Sequence, residues 1–218
     1  MITPFVSDEL FEPNYNANVT FDTNNKIIYI DNVFKNYDDI LEIIYNVSVE
    51  SWKKSSQSKN FIDYYDCRLS FNNVNSYKKD NKFYYDIMND CYNLNNKEIF
   101  FTNAYSLNYF KNKNKGLSNN FQHCPHKDDA FNLIFYLDTV ANGGTAIYEN
   151  TNIENREADN IFYDISNLKI EYIIKSKPNR AAIFYGDKLH GGYINDHDVY
   201  NYNWRINLVN FIRGNCNE

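Results

Sequence analysis

The spacing of hydrophobic positions along the chain changes near residue 98. Before that point, residues 37–45 and 82–94 repeat apolar side chains every three to four positions, which predicts two helices that each bury one face. Residues 26–30 predict a short strand, whereas residues 1–24 and 53–60 are polar and predict irregular structure. The first part of the chain is therefore expected to be helical and irregular.

From residue 98 the apolar positions follow a period of two, which is typical of strands with one buried face. Turn residues separate the segments, and no helical pattern falls between most of them, so an antiparallel sandwich or barrel is predicted. The two N-terminal helices would then cover the outer face of a sheet. The predicted strands are residues 98–110, 121–128, 131–138, 144–149, 170–174, 181–185 and 204–212.

No linker or internal repeat divides the chain, which predicts a single domain over residues 1–218. Within it, residues 1–97 would form a helical and irregular support region, and residues 98–213 would form the β-rich core. Residues 154–164 predict a short helix or a lid beside the mouth of a site. The expected fold class is mainly β with α.

The strongest chemical signal is His126, which stands two positions before Asp128. On an extended strand such residues project from one face, so an imidazole and a carboxylate can converge. A second imidazole, His190, precedes two glycines that would let the backbone approach a bound group. Two His and one Asp form the facial triad that binds non-haem Fe(II). The alternative is a surface His and Asp in a loop after Pro125.

Strand alternation groups several polar side chains on shared faces. Asn132 shares a face with Tyr136, and Arg205 begins a strand on which Asn207 projects to the same side. An inward arginine needs an anion, and a carboxylate bound through two hydrogen bonds is its best match. An outward, solvated Arg205 is the alternative that periodicity leaves open.

The two remaining histidines are predicted not to be metal ligands. His123 lies an odd number of residues before His126, so a strand would turn it to the opposite face. His197 lies in the polar stretch 194–200, which predicts a solvent-exposed loop.

Composition narrows the possible partners. The net charge of −6 disfavours a nucleic-acid binder that neutralises phosphates. The four cysteines show no C-x-x-C spacing, so neither a zinc ribbon nor a disulfide framework is indicated. Neither a signal peptide nor a membrane-length apolar run is visible, so a cytoplasmic location without a membrane partner is expected.

Several short fragments occur in an order that resembles the Fe(II)- and 2-oxoglutarate-dependent oxygenases of the prolyl 4-hydroxylase type. The resemblance covers the C-terminal half of the chain well and the first hundred residues only in outline. The fragments are His126-x-Asp128, Tyr136-Leu-Asp138, Gly143-Gly-Thr145, Pro178-Asn-Arg-Ala-Ala-Ile-Phe184, Leu189-His190 and Arg205-Ile-Asn-Leu208.

The resemblance implies a double-stranded β-helix, which is a distorted jelly roll, backed by the N-terminal helices. It implies that Fe(II) is held by His126, Asp128 and His190. Arg205 would bind the distal carboxylate of 2-oxoglutarate, with Tyr136 and Asn132 as helpers.

The activity implied is hydroxylation, with O2, of an unactivated C–H bond in an amino acid, peptide or protein side chain. The location would be the cytoplasm, that of the host cell if the chain is viral. The alternative is a catalytically silent jelly roll that acts as a binding or structural protein, possibly a viral one. A cupin-type site is disfavoured because the chain contains no His-x-His pair.

Overall fold

The largest layer of the molecule is a six-stranded antiparallel sheet. Its strands, in spatial order, are β1 (Asn18–Asp22), β2 (Ile27–Asp31), β11 (Arg180–Tyr185), β7 (Phe131–Tyr136), β13 (Arg205–Gly214) and β5 (Ile99–Phe110). The computed structural model describes residues 11–46, 53–54, 67–68, 77–92, 94, 99–110, 119–123, 125–149, 162–201 and 205–214.

The other strands form three smaller antiparallel sheets. The three-stranded sheet contains β10 (Ile170–Lys175), β8 (Gly144–Tyr148) and β12 (His190–Tyr193). The two pairs are β6 (Phe121–His123) with β9 (Phe162–Asp164), and β3 (Lys53–Lys54) with β4 (Cys67–Arg68). A single bridge between His126 and His190 joins the chain after β6 to the start of β12.

The six-stranded and three-stranded sheets face each other across a buried apolar layer. Ile134 and Phe184 of the larger sheet belong to one cluster with Ile147 and Ile174 of the smaller sheet. This interior forms because alternate residues of each strand project to the same side. The expected fold class, mainly β with α, is confirmed.

Two α-helices cover the outer face of the larger sheet, as the helical spacing predicts. They are α1 (Tyr37–Asn46) and α2 (Tyr77–Tyr92). Ile40 of α1 and Met88 of α2 are fully buried against Leu133 and Phe135 of β7. Both helices precede residue 98, but so do β1 and β2, which extend the same sheet as the later strands.

The strand β1 forms where the polar sequence predicts irregular structure. Its side chains are largely exposed, and it pairs with β2 through the backbone at the edge of the sheet. An edge strand needs little apolar surface, so the hydrophobic pattern does not reveal it. Likewise, β3 lies at the start of the tract 53–60 for which a loop is predicted.

The end of the segment 154–164 differs from the predicted helix. Residues 162–164 form β9 and pair with β6, so that end of the segment is a strand and not a helix. Residues 154–161 lie outside the described part of the chain. Within the described part, no helix is both long and apolar enough to cross a membrane.

Candidate metal centre

The predicted triad residues meet at one point. Candidate ligand atoms of His126, Asp128 and His190 all lie within 4.8 Å of one another. The Asp128 Oδ2 atom is 3.5 Å from His126 Nε2 and 3.2 Å from His190 Nε2. Two imidazole nitrogens and a carboxylate oxygen in such a group could hold a metal ion.

Backbone hydrogen bonds bring the three residues together. The His126 N–H donates to the His190 carbonyl at 2.8 Å, and the His190 N–H donates back at 2.9 Å. The Asp128 N–H donates to the Gly186 carbonyl at 2.8 Å. The predicted strand 121–128 is described only as far as His123, and residues 125–128 are not part of a strand. The side chains of His126 and Asp128 nevertheless converge.

Gly186 makes room for this arrangement. A Cβ at this position would lie 2.6 Å from Asn132 Nδ2 and 2.9 Å from the Asp128 Cβ. Real Cβ atoms essentially never show contacts this short, so a side chain here would displace the residues around the candidate ligands.

His190 is held in one orientation by its surroundings. Its Nδ1–H donates to the Lys188 carbonyl at 2.9 Å, which turns Nε2 toward Asp128. The ring also packs edge-on against Phe184, with centroids 5.2 Å apart. Fixing the far nitrogen of a histidine is the usual way that proteins orient a metal ligand.

Asn132 links two of the candidate ligands. Its Nδ2 donates to Asp128 Oδ2 at 3.3 Å and lies 3.3 Å from His190 Nε2. Asn132 is only 1% exposed and lies on the same face of β7 as Tyr136, as the alternation of that strand predicts. Sequence resemblance assigns Asn132 to the co-substrate, whereas its contacts are with the ligand group.

The ligand group opens to solvent on one side. Side-chain exposure is 42% for His126 and 22% for Asp128 but only 4% for His190. Burial raises the pKa of Asp128, but hydrogen bonds from both imidazoles outweigh it and hold the pKa well below its ordinary value. The carboxylate is therefore ionised at neutral pH, as a metal ligand requires.

Arg205 lies between the sheets and is 3% exposed, so it has the inward orientation. Its Nη2 donates to the Gly144 carbonyl at 3.1 Å. With the Asn207 amide turned so that its oxygen faces the guanidinium, Oδ1 accepts from Nη1 at 2.6 Å and from Nη2 at 3.1 Å. Among the described residues, no Asp or Glu forms an ion pair with Arg205. Its direct hydrogen-bond partners are neutral, although its charge interacts with the buried carboxylate of Asp138.

Tyr136 lies on the same inner surface and is 1% exposed. Its hydroxyl is 2.9 Å from Thr145 Oγ1, in a buried hydrogen bond. Burial raises the pKa of Tyr136 to about 12, so the phenol stays neutral. Sequence reasoning took the stretch 143–145 only as a turn. Gly143 does have a positive φ of 98°, and the turn places Thr145 at the start of β8.

The other two histidines are outside the ligand group, but each lies in an unexpected place. The ring of His123 is next to Gly192 and Arg205. Burial, with a smaller effect of the Arg205 charge, lowers the pKa of His123 to about 3. His197 is 2% exposed, so the prediction of a solvent-exposed loop is wrong.

His197 is buried because residues 197–201 form a 3-10 helix that packs into the protein. Tyr200 in this helix is fully buried, and its hydroxyl donates to Asp138 Oδ2 at 2.9 Å. The other oxygen of Asp138 accepts from the Ile206 N–H. Burial raises the pKa of Asp138 to about 6, although Arg205 and these two hydrogen bonds oppose the change.

No protein-family model and no curated protein matches the chain. Its function is therefore inferred from the geometry of the site.

Proposed function

We propose that this chain is an Fe(II)- and 2-oxoglutarate-dependent dioxygenase that hydroxylates a C–H bond of an amino acid, peptide or protein side chain. Its two facing sheets would be the double-stranded β-helix of that class. One observation carries the proposal: the His126–Asp128–His190 group includes the first residue of β12, and the buried Arg205 guanidinium lies against Gly192, two residues further along that strand. The choice of hydroxylated group rests on the sequence resemblance to prolyl 4-hydroxylases. The proposed location is the cytoplasm.

The donor set fits Fe(II). Two imidazoles and one carboxylate are the ligands of the facial triad, which leaves other coordination positions open. The Lys188 carbonyl holds Nδ1 of His190, so Nε2 faces Asp128 and is the nitrogen that would bind the metal, and Asp128 is ionised. Fe(II) bound there would activate O2, which is the oxidant for hydroxylation and for the conversion of 2-oxoglutarate to succinate and CO2.

The remaining residues bind and orient. Arg205 is placed to bind the distal carboxylate of 2-oxoglutarate, because a guanidinium can donate two parallel hydrogen bonds to a carboxylate. Asn207 and the Gly144 carbonyl hold the guanidinium in place. Tyr136 and Thr145 line the same polar interior. The apolar cluster that includes Ile134 and Phe184 excludes water from this space.

The proposal is tested by succinate release from 2-oxoglutarate, measured with Fe(II) and O2 over a set of amino acids and peptides. Wild-type protein should release succinate only when Fe(II) is present. Arg205→Met should raise the KM for 2-oxoglutarate at least about tenfold, because the anion loses a charged hydrogen-bond partner.

Arg180→Met is the matched control. This second guanidinium is already paired with Asp31, at 2.6 Å from Nε to Oδ1, so its loss should leave the KM unchanged. Equal KM values for wild type and Arg205→Met would contradict the assignment. Wild-type protein that binds neither metal nor 2-oxoglutarate would support a catalytically silent binding or structural protein instead.

A further inference from the structure

One buried carboxylate holds the chain on both sides of Arg205. Asp138 comes two residues after β7 and is 2% exposed. Its Oδ2 accepts from the Tyr200 hydroxyl at 2.9 Å, and its Oδ1 accepts from the Ile206 N–H. Tyr200 precedes Arg205 in the chain, and Ile206 follows it directly. The Asp138 side chain therefore fixes two points between which the arginine lies.

These contacts extend the pairing of β7 with β13. The ladder between the two strands includes Asn207 but not Arg205. Beyond the ladder, the Leu137 N–H donates to the Ile206 carbonyl at 2.9 Å, and the Asp138 carboxylate accepts from the N–H of the same residue. Both backbone groups of Ile206 are thus held by the residues that follow β7, so Arg205 projects from a fixed backbone position.

Asp138 also shares the charge of Arg205. The two groups attract each other but do not form an ion pair. A carboxylate that binds to Arg205 would place a second negative charge within range of Asp138. Two anions that share one cation oppose each other's ionised form, so the group that is easier to protonate takes up a proton.

Asp138 is the group of this cluster that can titrate near neutral pH. The charged and titratable groups that act on it are Tyr37 of α1, Tyr200 of the 3-10 helix and Arg205 of β13. Burial raises the pKa of both tyrosines, so they stay neutral, and a guanidinium stays charged. Burial also raises the pKa of Asp138 to about 6. The Tyr200 hydroxyl can accept as well as donate, so Oδ2 can bind a proton and keep its hydrogen bond.

We propose that Asp138 is the positioning residue for Arg205, and that it takes up a proton from solvent when the distal carboxylate of 2-oxoglutarate binds to this arginine. Through Tyr200 and Ile206 it sets the place of the guanidinium, and once protonated it no longer competes with the co-substrate for the positive charge. This inference rests on the proposed function and adds to it a residue that acts through Arg205.

Proton uptake is the first measurement. Mn(II)-loaded protein is titrated with 2-oxoglutarate by calorimetry at pH 7, in two buffers whose ionisation enthalpies differ, so that the heats report the protons exchanged. A rise of the pKa of Asp138 from about 6 to about 7 corresponds to an uptake of roughly 0.4 proton. Pyruvate has the same carboxylate and keto group but lacks the distal carboxylate, and it should cause no uptake.

Two aspartate variants assign the proton. Asp138→Asn should abolish the uptake, because an amide replaces the carboxyl group. Asp31→Asn is the matched control. The hydrogen bond from Arg180 lowers the pKa of Asp31, so this carboxylate is ionised throughout and its replacement should leave the uptake as in wild type.

The Kd for 2-oxoglutarate is the second measurement. Asp138→Asn and Asp138→Leu both lack the charge, but only asparagine keeps an oxygen for the Ile206 N–H and a polar partner for Tyr200. Asp138→Leu should therefore bind 2-oxoglutarate about tenfold more weakly than Asp138→Asn, whereas the two variants should have equal Kd values for pyruvate and for Mn(II).

A pair of tyrosine variants tests the same contact with a smaller change of the interior. Tyr200→Phe removes the hydroxyl that donates to the Asp138 carboxylate and should weaken 2-oxoglutarate binding about fivefold. Tyr37→Phe is its control, because that hydroxyl donates to the backbone carbonyls of Leu137 and Asp138, at 3.3 and 3.2 Å, and not to the carboxylate. Its Kd for 2-oxoglutarate should equal that of wild type.

Wild-type protein that binds 2-oxoglutarate without proton uptake overturns the inference, as does an equal uptake in Asp138→Asn. So do equal Kd values for 2-oxoglutarate in Asp138→Leu and Asp138→Asn, or a parallel loss for 2-oxoglutarate, pyruvate and Mn(II), which indicates a role in the fold alone. Should Asp138→Leu fail to fold, equal Kd values for Tyr200→Phe and wild type overturn it.

In all these cases wild-type protein still binds 2-oxoglutarate, and the proposed function stands. Wild-type protein that binds Mn(II) without 2-oxoglutarate removes the proposed function itself, and this inference with it.

Discussion

The two faces of the six-stranded sheet carry very different side chains. On its outer face, β7 presents Leu133 and Phe135, which are buried among apolar residues of the helices. On its inner face the same strand presents Asn132 and Tyr136, both almost fully buried and both hydrogen-bonded to other side chains. Strand β13 repeats the contrast, with Ile206 outside and Arg205 inside.

This difference separates the residues that stabilise the fold from those that build the site. Burial of apolar area on the outer face stabilises the fold without any need for hydrogen-bond partners. Burial of an amide, an imidazole or a guanidinium costs free energy unless each finds a partner. The inner face carries the buried Asn132 and Arg205, and the buried His190 of the facing sheet lies against Asn132. Such a concentration of buried polar groups is typical of a functional site.

Asp128→Ala is expected to have the largest effect on the inner face. It removes the only carboxylate of the ligand group, so Mn(II) affinity should fall by more than about 100-fold, and Fe(II)-dependent succinate release should be abolished. Titration calorimetry measures the first effect. Iron-dependent succinate formation that persists in this variant would show that the ligand assignment is wrong.

Phe135→Ala should lower the stability of the fold and leave metal binding unchanged. The ring is 2% exposed and packs against Phe34 and Tyr84, with centroids 4.9 and 5.6 Å apart. Its loss should lower the free energy of unfolding by about 3–5 kcal/mol, as measured by urea denaturation. Below the unfolding transition, the Kd for Mn(II) should equal that of wild type. A large change in this Kd would mean that the two faces are not separable.

Asp138→Asn tests the raised pKa of the buried carboxyl group that follows β7. The pKa of Asp138 is raised from 3.8 to about 6, so between these values the folded state binds more protons than the unfolded state. Its contribution to stability is therefore fully present below pH 3.8 and is lost as the pH rises through 6.

In Asp138→Asn an amide that does not titrate replaces the carboxyl group. The difference in unfolding free energy, wild type minus variant, should therefore decrease by on the order of 2 kcal/mol between pH 4 and pH 7. Denaturation curves for both proteins at the two pH values measure it. A difference that does not vary with pH would contradict the raised pKa.

Asn132→Ala should have the smallest of these effects. It leaves the three ligands in place but removes the amide that donates to Asp128 Oδ2. Loss of such a supporting hydrogen bond typically weakens metal binding by about 10- to 100-fold, and the weak geometry at 3.3 Å favours the lower end. Leu133→Ala, the adjacent residue on the outer face, is the matched control and should leave the Kd for Mn(II) unchanged. Equal Kd values for Asn132→Ala and wild type would mean that Asn132 does not support the ligands.

The regular parts of the fold were predictable because their side chains repeat with a clear period. The helices α1 and α2 and the strands β5 and β7 form where the three-to-four and two-residue periods predict them. The same alternation correctly places Asn132 with Tyr136, whereas it leaves open the inward direction that Arg205 takes. The two-residue spacing also correctly predicted that His126 and Asp128 meet, although the backbone between them is not a strand.

What could not be predicted depends on contacts between distant segments. β12 contains two glycines and β9 has three residues, so neither shows a periodic pattern. The proximity of His123 to Arg205 arises only when β6 lies beside β12. The burial of His197 follows from Tyr200 inserting toward Asp138, and the polar sequence around it gives no sign of this.

A crystal structure of the protein grown without O2 in the presence of Mn(II) and 2-oxoglutarate tests the central claim most directly. The account predicts one ion bound by His126, Asp128 and His190, and one 2-oxoglutarate whose distal carboxylate contacts Arg205. An ion bound elsewhere, or a 2-oxoglutarate whose distal carboxylate points away from Arg205, would contradict it.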